Sequence, residues 1–388
     1  MSEATLEGPI HSRSKDRDSV IELLRKCFPG TRDLGEPTIN RPYCYRIIKD
    51  SLVMKDGPKV VSHLGCVDQV VMTGRRTIRS AGIGWVGTDP AYRRRGLMTR
   101  LLMSSIEEMT QKGYALSDLE GDRQRYGGFG WELAGRTWHF NISPRSLEPW
   151  GKPVGFEVAP YTAASEEVKA TLRLHNRQQV GLKRDRTLHL ILLSRFGKEA
   201  WIARKDDSIR SYAVVYRQEK RCRVDELGGD AAAVHAIVDH MIRGLGVESV
   251  NVSMPWSHPL NAKLRALSSG WSLGCLRMMK ILDLQATLDP FAEQLGSVYR
   301  RMGFRRERAI ALGFEGGEPD VELIFSRHGV SIGQVRRRRG TVVIPERRMV
   351  RLLFGPSSPA DIGSLPPRAR FIEALLPVDF FLWRNEAV

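Results

Sequence analysis

The stretch AGIGWVGTDPAYRRRGLMTRLL, residues 81–102, joins a strand pattern to a helix pattern through three consecutive arginines and a glycine. Its first half is an apolar strand pattern that ends in the Asp89-Pro90 turn, and Leu97 to Met109 carries apolar residues at helical spacing. A helix N-terminus exposes unpaired backbone N–H groups and the positive end of the helix dipole, and both attract phosphate. We therefore predict an anion-binding site where this strand passes into a helix.

The side chains before the helix strengthen that prediction. Gly96 removes a side chain that would block a close approach, while Arg93, Arg94 and Arg95 can add charge-assisted hydrogen bonds. Three arginines before a helix can also be an ordinary solvated surface. The apolar strand and the glycine beside them favour a site for pyrophosphate.

Length and charge limit the possible functions. A chain of 388 residues exceeds what one hydrophobic core usually organises, so two or three domains are expected. Sixty Lys and Arg against 44 Asp and Glu give a formal charge of +16. That charge favours an anionic ligand: nucleic acid, an anionic membrane or a phosphorylated small molecule.

Cysteine and histidine usage points away from disulfide and metal chemistry. The five cysteines are scattered without a C-x-x-C pair, and the histidines form no metal-ligand spacing. The N-terminus lacks an apolar signal region, and no apolar run reaches the roughly 18 residues needed to span a bilayer. We predict a cytoplasmic protein without a bound metal.

The element patterns divide the chain into three blocks. The first has hairpins turning at Asp56-Gly57 and Gly74, then the helix and a short strand at Tyr114 to Leu119. A stretch with three prolines and two glycines, residues 143–155, is predicted to be an interdomain linker. Residues 156–285 repeat the order of the first block and are predicted to be a diverged second copy of it.

The repeat has its own helix N-terminus in DELGGDAAAV, and the hairpin before it is predicted to turn at Asp206-Asp207. There Asp230 would cap the helix and occupy the anion site with its own carboxylate, so a second cofactor is not expected. The third block, 286–388, begins with a helix. Strand-like segments follow at 321–335, 341–345 and 348–356, and a last helix is predicted near Arg368 to Leu376.

The phosphate site and a second motif resemble a known family. The acetyl-CoA motif R/Q-x-x-G-x-G/A of GNAT acetyltransferases is matched by Arg93, Gly96 and Met98, and YGGFGWELAG follows at 126–135. Together they resemble GNAT enzymes of the enhanced intracellular survival (Eis) type. The resemblance implies an α+β chain with tandem GNAT acyltransferase domains, each a mixed central sheet with helices. These would be a catalytic domain at 1–145, a cofactor-free copy at 146–285 and a sterol-carrier-protein-like α+β domain at 286–388.

The resemblance also implies site residues. Tyr126 would be the general acid toward the departing thiolate, and the carboxylate of Val388 would be the general base, an arrangement that suits amine acetylation. Acetyl-CoA would be the co-substrate and would be held by Val86, Gly87, Thr88, Arg93, Arg94, Arg95, Gly96, Leu97, Met98 and Thr99.

The predicted reaction is direct acetyl transfer to a primary amine in a ternary complex. By resemblance the acceptor would be a small amine or a lysine-bearing substrate, and the chain would form a homo-oligomer, a hexamer in the family. Asp33 and Glu36, in the loop at 29–37, are candidates to bind the amine. Four further acids could make the pocket locally acidic: Asp118, Glu120, Asp122 and Glu132.

Other classes of function remain as alternatives. One is a non-catalytic lipid- or acyl-binding protein with silent GNAT domains, which the apolar segment Phe371 to Trp383 favours, although a packed core explains that segment equally well. A nucleic-acid-binding regulator is weaker, and no nucleic-acid partner is expected. The basic run at 335–340 is predicted to be the solvated end of a hairpin turning at Gly340.

Overall fold

The protein is an α+β chain with three sheets. The computed structural model describes residues 6–29, 51–195, 197–336, 340–363 and 365–388. Within these ranges the strands are β1 Glu7–His11, β2 Ser51–Asp56, β3 Lys59–Thr73, β4 Arg76–Thr88, β5 Leu116–Leu119, β6 Glu132–Ala134, β7 Thr137–Ile142, β8 Glu157–Pro160, β9 Val180–Leu182, β10 Glu199–Lys205, β11 Ser208–Gln218, β12 Arg221–Gly229, β13 Ser249–Pro255, β14 Gly270–Gly274, β15 Arg277–Ile281, β16 Arg308–Phe314, β17 Val321–Ser326, β18 Gly329–Gly333 and β19 Val342–Ile344.

The α-helices are named by their residues. They are Arg17–Cys27, Leu97–Gln111, Arg123–Gly127, Pro144–Leu147, Ser165–Arg177, Arg186–Leu193, Ala231–Asp239, Asn261–Leu267, Leu284–Leu288, Ala292–Arg301 and Glu346–Phe354.

The first sheet has the order β1-β2-β3-β4-β5-β15-β6, and β9 pairs with β3 beside this path. Strands β4 and β5 are parallel, and the helix Leu97–Gln111 connects them, as a parallel pair requires. Its buried Leu97, Leu101 and Leu102 pack on the sheet, which explains the helical spacing seen in the sequence. The predicted hairpin turns after Asp56 and at Gly74 are confirmed.

The second sheet repeats this arrangement in the order β8-β10-β11-β12-β13-β7-β14. Its parallel pair, β12 and β13, is joined by the helix Ala231–Asp239. Asp230 caps that helix, since Oδ1 accepts a hydrogen bond from Ala233 N at 2.8 Å, and Oδ2 accepts one from Arg210 Nε at 2.9 Å. The predicted cap and the predicted turn at Asp206-Asp207 are both confirmed.

The two sheets exchange strands, and the short strand β9 of the second block also pairs with β3 in the first sheet. Strand β7 comes from the first block but pairs with β13 in the second sheet, and β15 comes from the second block but pairs with β5 in the first. Residues 143–155 therefore connect two strands of one sheet, β7 and β8, so the prediction of an interdomain linker there is wrong. The ranges 1–145, 146–285 and 286–388 stay a prediction of domains, and strand pairing crosses the first two of them.

The third sheet has the order β18-β17-β16-β19 and shares a core with the first sheet. The segment 348–356, predicted to be strand-like, is wrong because the helix Glu346–Phe354 covers most of it. Its buried Met349, Leu352 and Leu353 recur at helical spacing, and Pro345 precedes the first turn. The predicted last helix is reduced to a 3-10 turn at Arg370–Ala374.

The basic run at 335–340 does not close a hairpin. The strands on either side of it, β18 and β19, lie at opposite edges of the third sheet, and β19 pairs in parallel with β16. The prediction of a hairpin turn at Gly340 is therefore wrong. Residues 337–339 lie outside the described part of the chain.

A β-bulge near the end of β4 opens the first sheet. His63 pairs with Gly87 and Gly65 with Gly84, so β4 has one extra residue, and Trp85 there has φ of +54°. The pairing of β4 with β5 ends at Ile83, and β4 continues to Thr88 without that neighbour. The result is a gap between the two parallel strands, on the side where the chain enters the helix Leu97–Gln111.

A buried histidine supports the bulge. His63 Nδ1 donates a hydrogen bond to the carbonyl oxygen of Trp85 at 2.8 Å, and its side chain is fully buried. Burial lowers the pKa of His63 to about 4, against the hydrogen bond that raises it. The folded protein therefore keeps this imidazole neutral over a range where the unfolded chain protonates it.

We expect His63→Asn to reduce the acid sensitivity of the fold. Asn Nδ2 can replace the Nδ1 donor but does not titrate. Between pH 6.5 and about 4 the unfolded wild-type chain binds a proton that the folded protein does not. As the pH decreases, the free energy of unfolding of the wild type therefore falls more steeply than that of the variant. The difference between the two slopes is up to about 1.4 kcal/mol per pH unit. Denaturant unfolding at pH 7, 6 and 5 measures both slopes, and equal slopes would contradict the assignment.

Candidate active site

The N-terminus of the helix Leu97–Gln111 is open to a ligand. Gly96 is its N-cap at φ +69° and ψ +13°, and a side chain there would meet nothing within 4 Å. The first helical hydrogen bond is donated by Arg100 N to Gly96 O, so the helix leaves the N–H groups of the first three residues unpaired. This exposed end has the geometry and polarity of an anion site.

The three arginines surround that end. Arg93, Arg94 and Arg95 are all exposed; Arg93 Nε donates to the carbonyl of Thr88 at 3.3 Å, and the Arg95 guanidinium lies 5.0 Å from the ring centre of Tyr92. Leu97 differs from the other predicted cofactor-binding residues because its side chain is buried in the core. Only its backbone N–H is therefore available to an anion.

Residues 86–88, which the resemblance assigns to acetyl-CoA binding, lie past the bulge, where β4 is no longer paired with β5. Val86 packs into the core beside the helix, and a side chain at Gly87 would come within 3.0 Å of Cys27 Sγ. Thr88 Oγ1 shares a hydrogen bond of 2.8 Å with Ser62 Oγ. All three positions thus contact other parts of the protein on their side-chain side. The backbone of this segment is the part that faces the gap.

The C-terminus of the chain lies against β4 at the same gap. A Cβ atom at Gly84 would be 2.8 Å from both the carboxyl carbon and the carbonyl oxygen of Val388, and one at Gly82 would be 2.5 Å from Val388 Cγ2. The Val388 side chain packs with Val67 and Leu192. The two glycines therefore create the space that the terminal residue occupies.

Tyr126 lies in the short helix that follows β5 and packs in the same core cluster as Leu119 of that strand. Its helix, Arg123–Gly127, is capped by Asp122, and its side chain is 7% exposed. A Cβ atom at Gly121 would clash with the tyrosine ring. Burial raises the pKa of Tyr126, while Arg125 lowers it by less, so the hydroxyl is protonated at neutral pH.

The floor of the gap contains a buried ion pair that the sequence analysis did not identify. Asp118 of β5 lies opposite Gly82 and accepts hydrogen bonds from Arg277 NH1 at 3.0 Å and Ser80 Oγ at 3.2 Å. Burial raises the pKa of Asp118, and Arg277 opposes that effect. Since β15 brings Arg277 from 159 residues away, no local signal could have revealed the pair.

Three of the four acids proposed to make the pocket acidic have arginine partners, and that of Glu120 is Arg384, at 3.5 Å. Asp118 pairs with Arg277, and both oxygens of Glu132 accept hydrogen bonds from Arg123, at 2.5 Å and 2.7 Å. Glu132 also pairs with Arg347 at 2.7 Å. Neither Asp118 nor Glu132 is left uncompensated to attract an amine.

Other predicted features lie elsewhere or add nothing to this site. Asp33 and Glu36 fall outside the described residues. In the described ranges no group of three or more His, Cys, Asp and Glu side chains is placed to hold a metal ion. None of the helices described is both long and apolar enough to cross a membrane.

Comparison with known proteins gives the family of the first block. Residues 10–134 match the family model described as an acetyltransferase (GNAT) domain. No curated protein matches the chain in sequence. The matched range includes the bulge, the helix N-terminus at Gly96 and Tyr126.

Solved structures share the fold of nearly the whole chain. A GCN5-related N-acetyltransferase from Anabaena variabilis has a TM-score of 0.73 at 16% identity, covering 96% of this chain and 99% of its own. A conserved protein from Enterococcus faecalis, a probable N-acyltransferase, has a TM-score of 0.74 at 14% identity, covering 97% and 99%. Eis1 from Mycobacterium abscessus has a TM-score of 0.66 at 14% identity, covering 97% and 98%.

At these identities the solved structures show the fold, and the family model shows the kind of enzyme. The GNAT domain implies acetyl-CoA as co-substrate. The open helix N-terminus at Gly96 and the strand gap beside it are consistent with that co-substrate. The chain contains a GNAT acetyltransferase domain at residues 10–134, and the protein is an acyltransferase enzyme.

Proposed function

We propose that the protein is an N-acetyltransferase that transfers the acetyl group of acetyl-CoA to a primary amine by direct attack in a ternary complex. The observation that carries this proposal is the position of Val388, whose carboxyl group lies against Gly84 of β4, one residue past the last pair that β4 makes with β5. A carboxylate in that place can accept a proton from an amine.

Residues on two segments would hold the co-substrate, which supplies an activated acetyl thioester and a thiolate leaving group. The backbone N–H groups of Leu97, Met98 and Thr99, with the exposed arginines 93–95, would bind the pyrophosphate. The backbone of residues 86–88 would pair with the pantetheine arm.

Tyr126 and the Val388 carboxylate would be the acid and the base. The Val388 carboxylate, on β4, would take the proton that the attacking amine must lose. Tyr126, beyond β5, keeps its proton at neutral pH because burial raises its pKa, so it can donate that proton to the departing thiolate.

The acceptor is proposed to be a small amine or a lysine-bearing substrate. Asp33 and Glu36 remain candidates to bind its ammonium group. The homo-oligomer, a hexamer by family resemblance, the cytoplasmic location and the sterol-carrier-protein-like character of residues 286–388 also remain proposals. The alternative, a lipid- or acyl-binding protein, is based on the apolar segment Phe371 to Trp383. Its aromatic residues are buried in the core, so packing accounts for them: Phe371, Phe380, Phe381 and Trp383.

We expect Gly96→Glu to abolish acetyl-CoA binding, because it places a negative charge and bulk at the helix N-terminus. Gly113→Glu is the matched control: Gly113 follows the same helix, also has φ of +69° and has no neighbour within 4 Å of its Cβ position. Both variants carry the same backbone strain and charge. Isothermal titration should show one site per chain in the wild type and control and none in Gly96→Glu; equal binding by both variants would exclude this phosphate site.

We expect Tyr126→Phe to lower kcat by about 100-fold or more, the usual contribution of a general acid, with little change in acetyl-CoA affinity. Tyr114→Phe, at a tyrosine equally buried in the same domain, should keep kcat near the wild-type value. Steady-state kinetics with a primary amine measure both. An undiminished kcat in Tyr126→Phe would remove the acid assignment.

Two changes test the terminal carboxylate. Deleting Val388 moves the carboxylate back by one residue, about 3.8 Å, and Gly84→Ala places a methyl group 2.8 Å from its carbon. We expect each to lower kcat by about 100-fold, because a displaced catalytic group loses its alignment. Gly333→Ala, where the Cβ position is open, should be neutral. Full activity after deletion of Val388 would show that another group is the base.

A further inference from the structure

The second sheet contains the same kind of gap as the first. Val214 pairs with Glu226 and Val215 with Val224, so β12 has a bulge at Asp225, in the place that corresponds to the bulge of β4. The pairing of β12 with β13 ends at Val224, while β12 continues to Gly229. In the first sheet this gap belongs to the acetyltransferase site, which raises the question of what the second gap holds.

A buried ion network lies beside the bulge. Arg184 is fully buried and makes two hydrogen bonds of 2.8 Å to the carboxylate of Glu226, which lies on β12 just past the bulge. Arg184 NH2 also donates to Glu386 Oε1 at 2.5 Å, and Leu182 N donates to the same oxygen at 2.8 Å. Tyr212 donates to Glu226 at 2.7 Å. The C-terminal segment of the chain thus provides one carboxylate of the network.

Asn385 inserts beside Glu386. Its Nδ2 donates to Leu192 O at 3.1 Å and to Glu226 Oε2 at 3.0 Å, and its Oδ1 accepts from Lys198 Nζ at 3.1 Å. All the polar atoms of this amide are therefore paired with the second block. Side chains at 385 and 386 are both completely buried, which is unusual for residues so close to a chain end.

Arg195 holds the last residues before the terminus. Its NH1 donates to the carbonyl of Asn385 at 2.9 Å and to that of Ala387 at 3.0 Å. On the other side, Arg277 NH2 donates to the carbonyl of Trp383 at 3.1 Å and links it to Asp118 in the floor of the first gap. The segment is therefore fixed from the second gap up to the peptide that carries Val388.

We infer that the second block, beside its own bulge, is a socket for the chain's own C-terminus, and that Arg195, Asn385 and Glu386 are positioning residues that hold the Val388 carboxylate against Gly84. This inference rests on the proposed role of Val388 as the base. A free chain end would sample many positions, and a misplacement of about 1 Å can cost a large part of the rate. The second block thereby contributes to catalysis without binding a co-substrate of its own.

Arg195→Ala is the main test because Arg195 is only half-buried and donates to the carbonyls of Asn385 and Ala387. Arg243→Ala is the matched control, since Arg243 likewise donates to two backbone carbonyls, Leu147 O at 2.9 Å and Trp150 O at 3.3 Å, but does not touch the C-terminal segment. Asn385→Ala is a second test variant, because it removes the side-chain amide that is hydrogen-bonded to the second block. Each variant is compared with wild type for kcat, acetyl-CoA affinity and melting temperature.

The choice of acceptor separates a positioning role from a structural one. An alkylamine is protonated at neutral pH and needs the base, whereas hydroxylamine is largely unprotonated there. We expect Arg195→Ala and Asn385→Ala to lower kcat for an alkylamine by about tenfold or more, to affect hydroxylamine less, and to leave acetyl-CoA affinity unchanged. Arg243→Ala should match the wild type with both acceptors.

Three results would overturn the inference. The first is a wild-type kcat in Arg195→Ala and Asn385→Ala while deletion of Val388 strongly lowers kcat. This result would support Val388 as the base but contradict a positioning role for the socket. An equal loss with both acceptors would indicate a general structural effect. Full activity after deletion of Val388 would remove the base assignment, and the socket with it.

Discussion

The position of the C-terminus depends on one buried guanidinium. Arg184 lies between the carboxylates of Glu226 and Glu386, and all three side chains are completely removed from water. Removing one partner of a buried ion pair leaves an uncompensated buried charge, which typically lowers the free energy of unfolding by about 3–5 kcal/mol. The C-terminal segment is therefore held against the second sheet, and its last residue is directed onto β4 of the first.

Strand exchange makes the two halves depend on each other. Strand β15 supplies Arg277, which pairs with Asp118 under the first gap, while β7 completes the second sheet beside β13. Neither sheet consists of one continuous part of the chain. The first sheet is thus completed by β15 and contacted by Val388, both more than 140 residues beyond the end of the matched range 10–134.

The elements predicted from the sequence were correct where local patterns dominate. Hairpin turns at Gly74 and Asp206-Asp207, the helix after Gly96 and the cap at Asp230 all follow from residues adjacent in the chain. The helix Glu346–Phe354 was missed because short apolar runs fit a strand or a helix equally well. Residues 143–155 were misjudged since proline and glycine mark a loop without saying which sheet each end joins.

The sequence by itself determined the helix that begins after Gly96, because the strand, the Asp89-Pro90 turn and the helical spacing of apolar residues act over a few neighbouring residues. The sequence also contains Gly82 and Gly84 inside a strand pattern. Glycines in such positions indicate that another part of the chain comes close to the strand. Only the tertiary structure decided that Val388 is that part, that Arg277 pairs with Asp118, and that Glu386 completes the network around Arg184. Those contacts join residues more than 150 positions apart, and the burial that makes them strong exists only after the sheets have exchanged strands and packed.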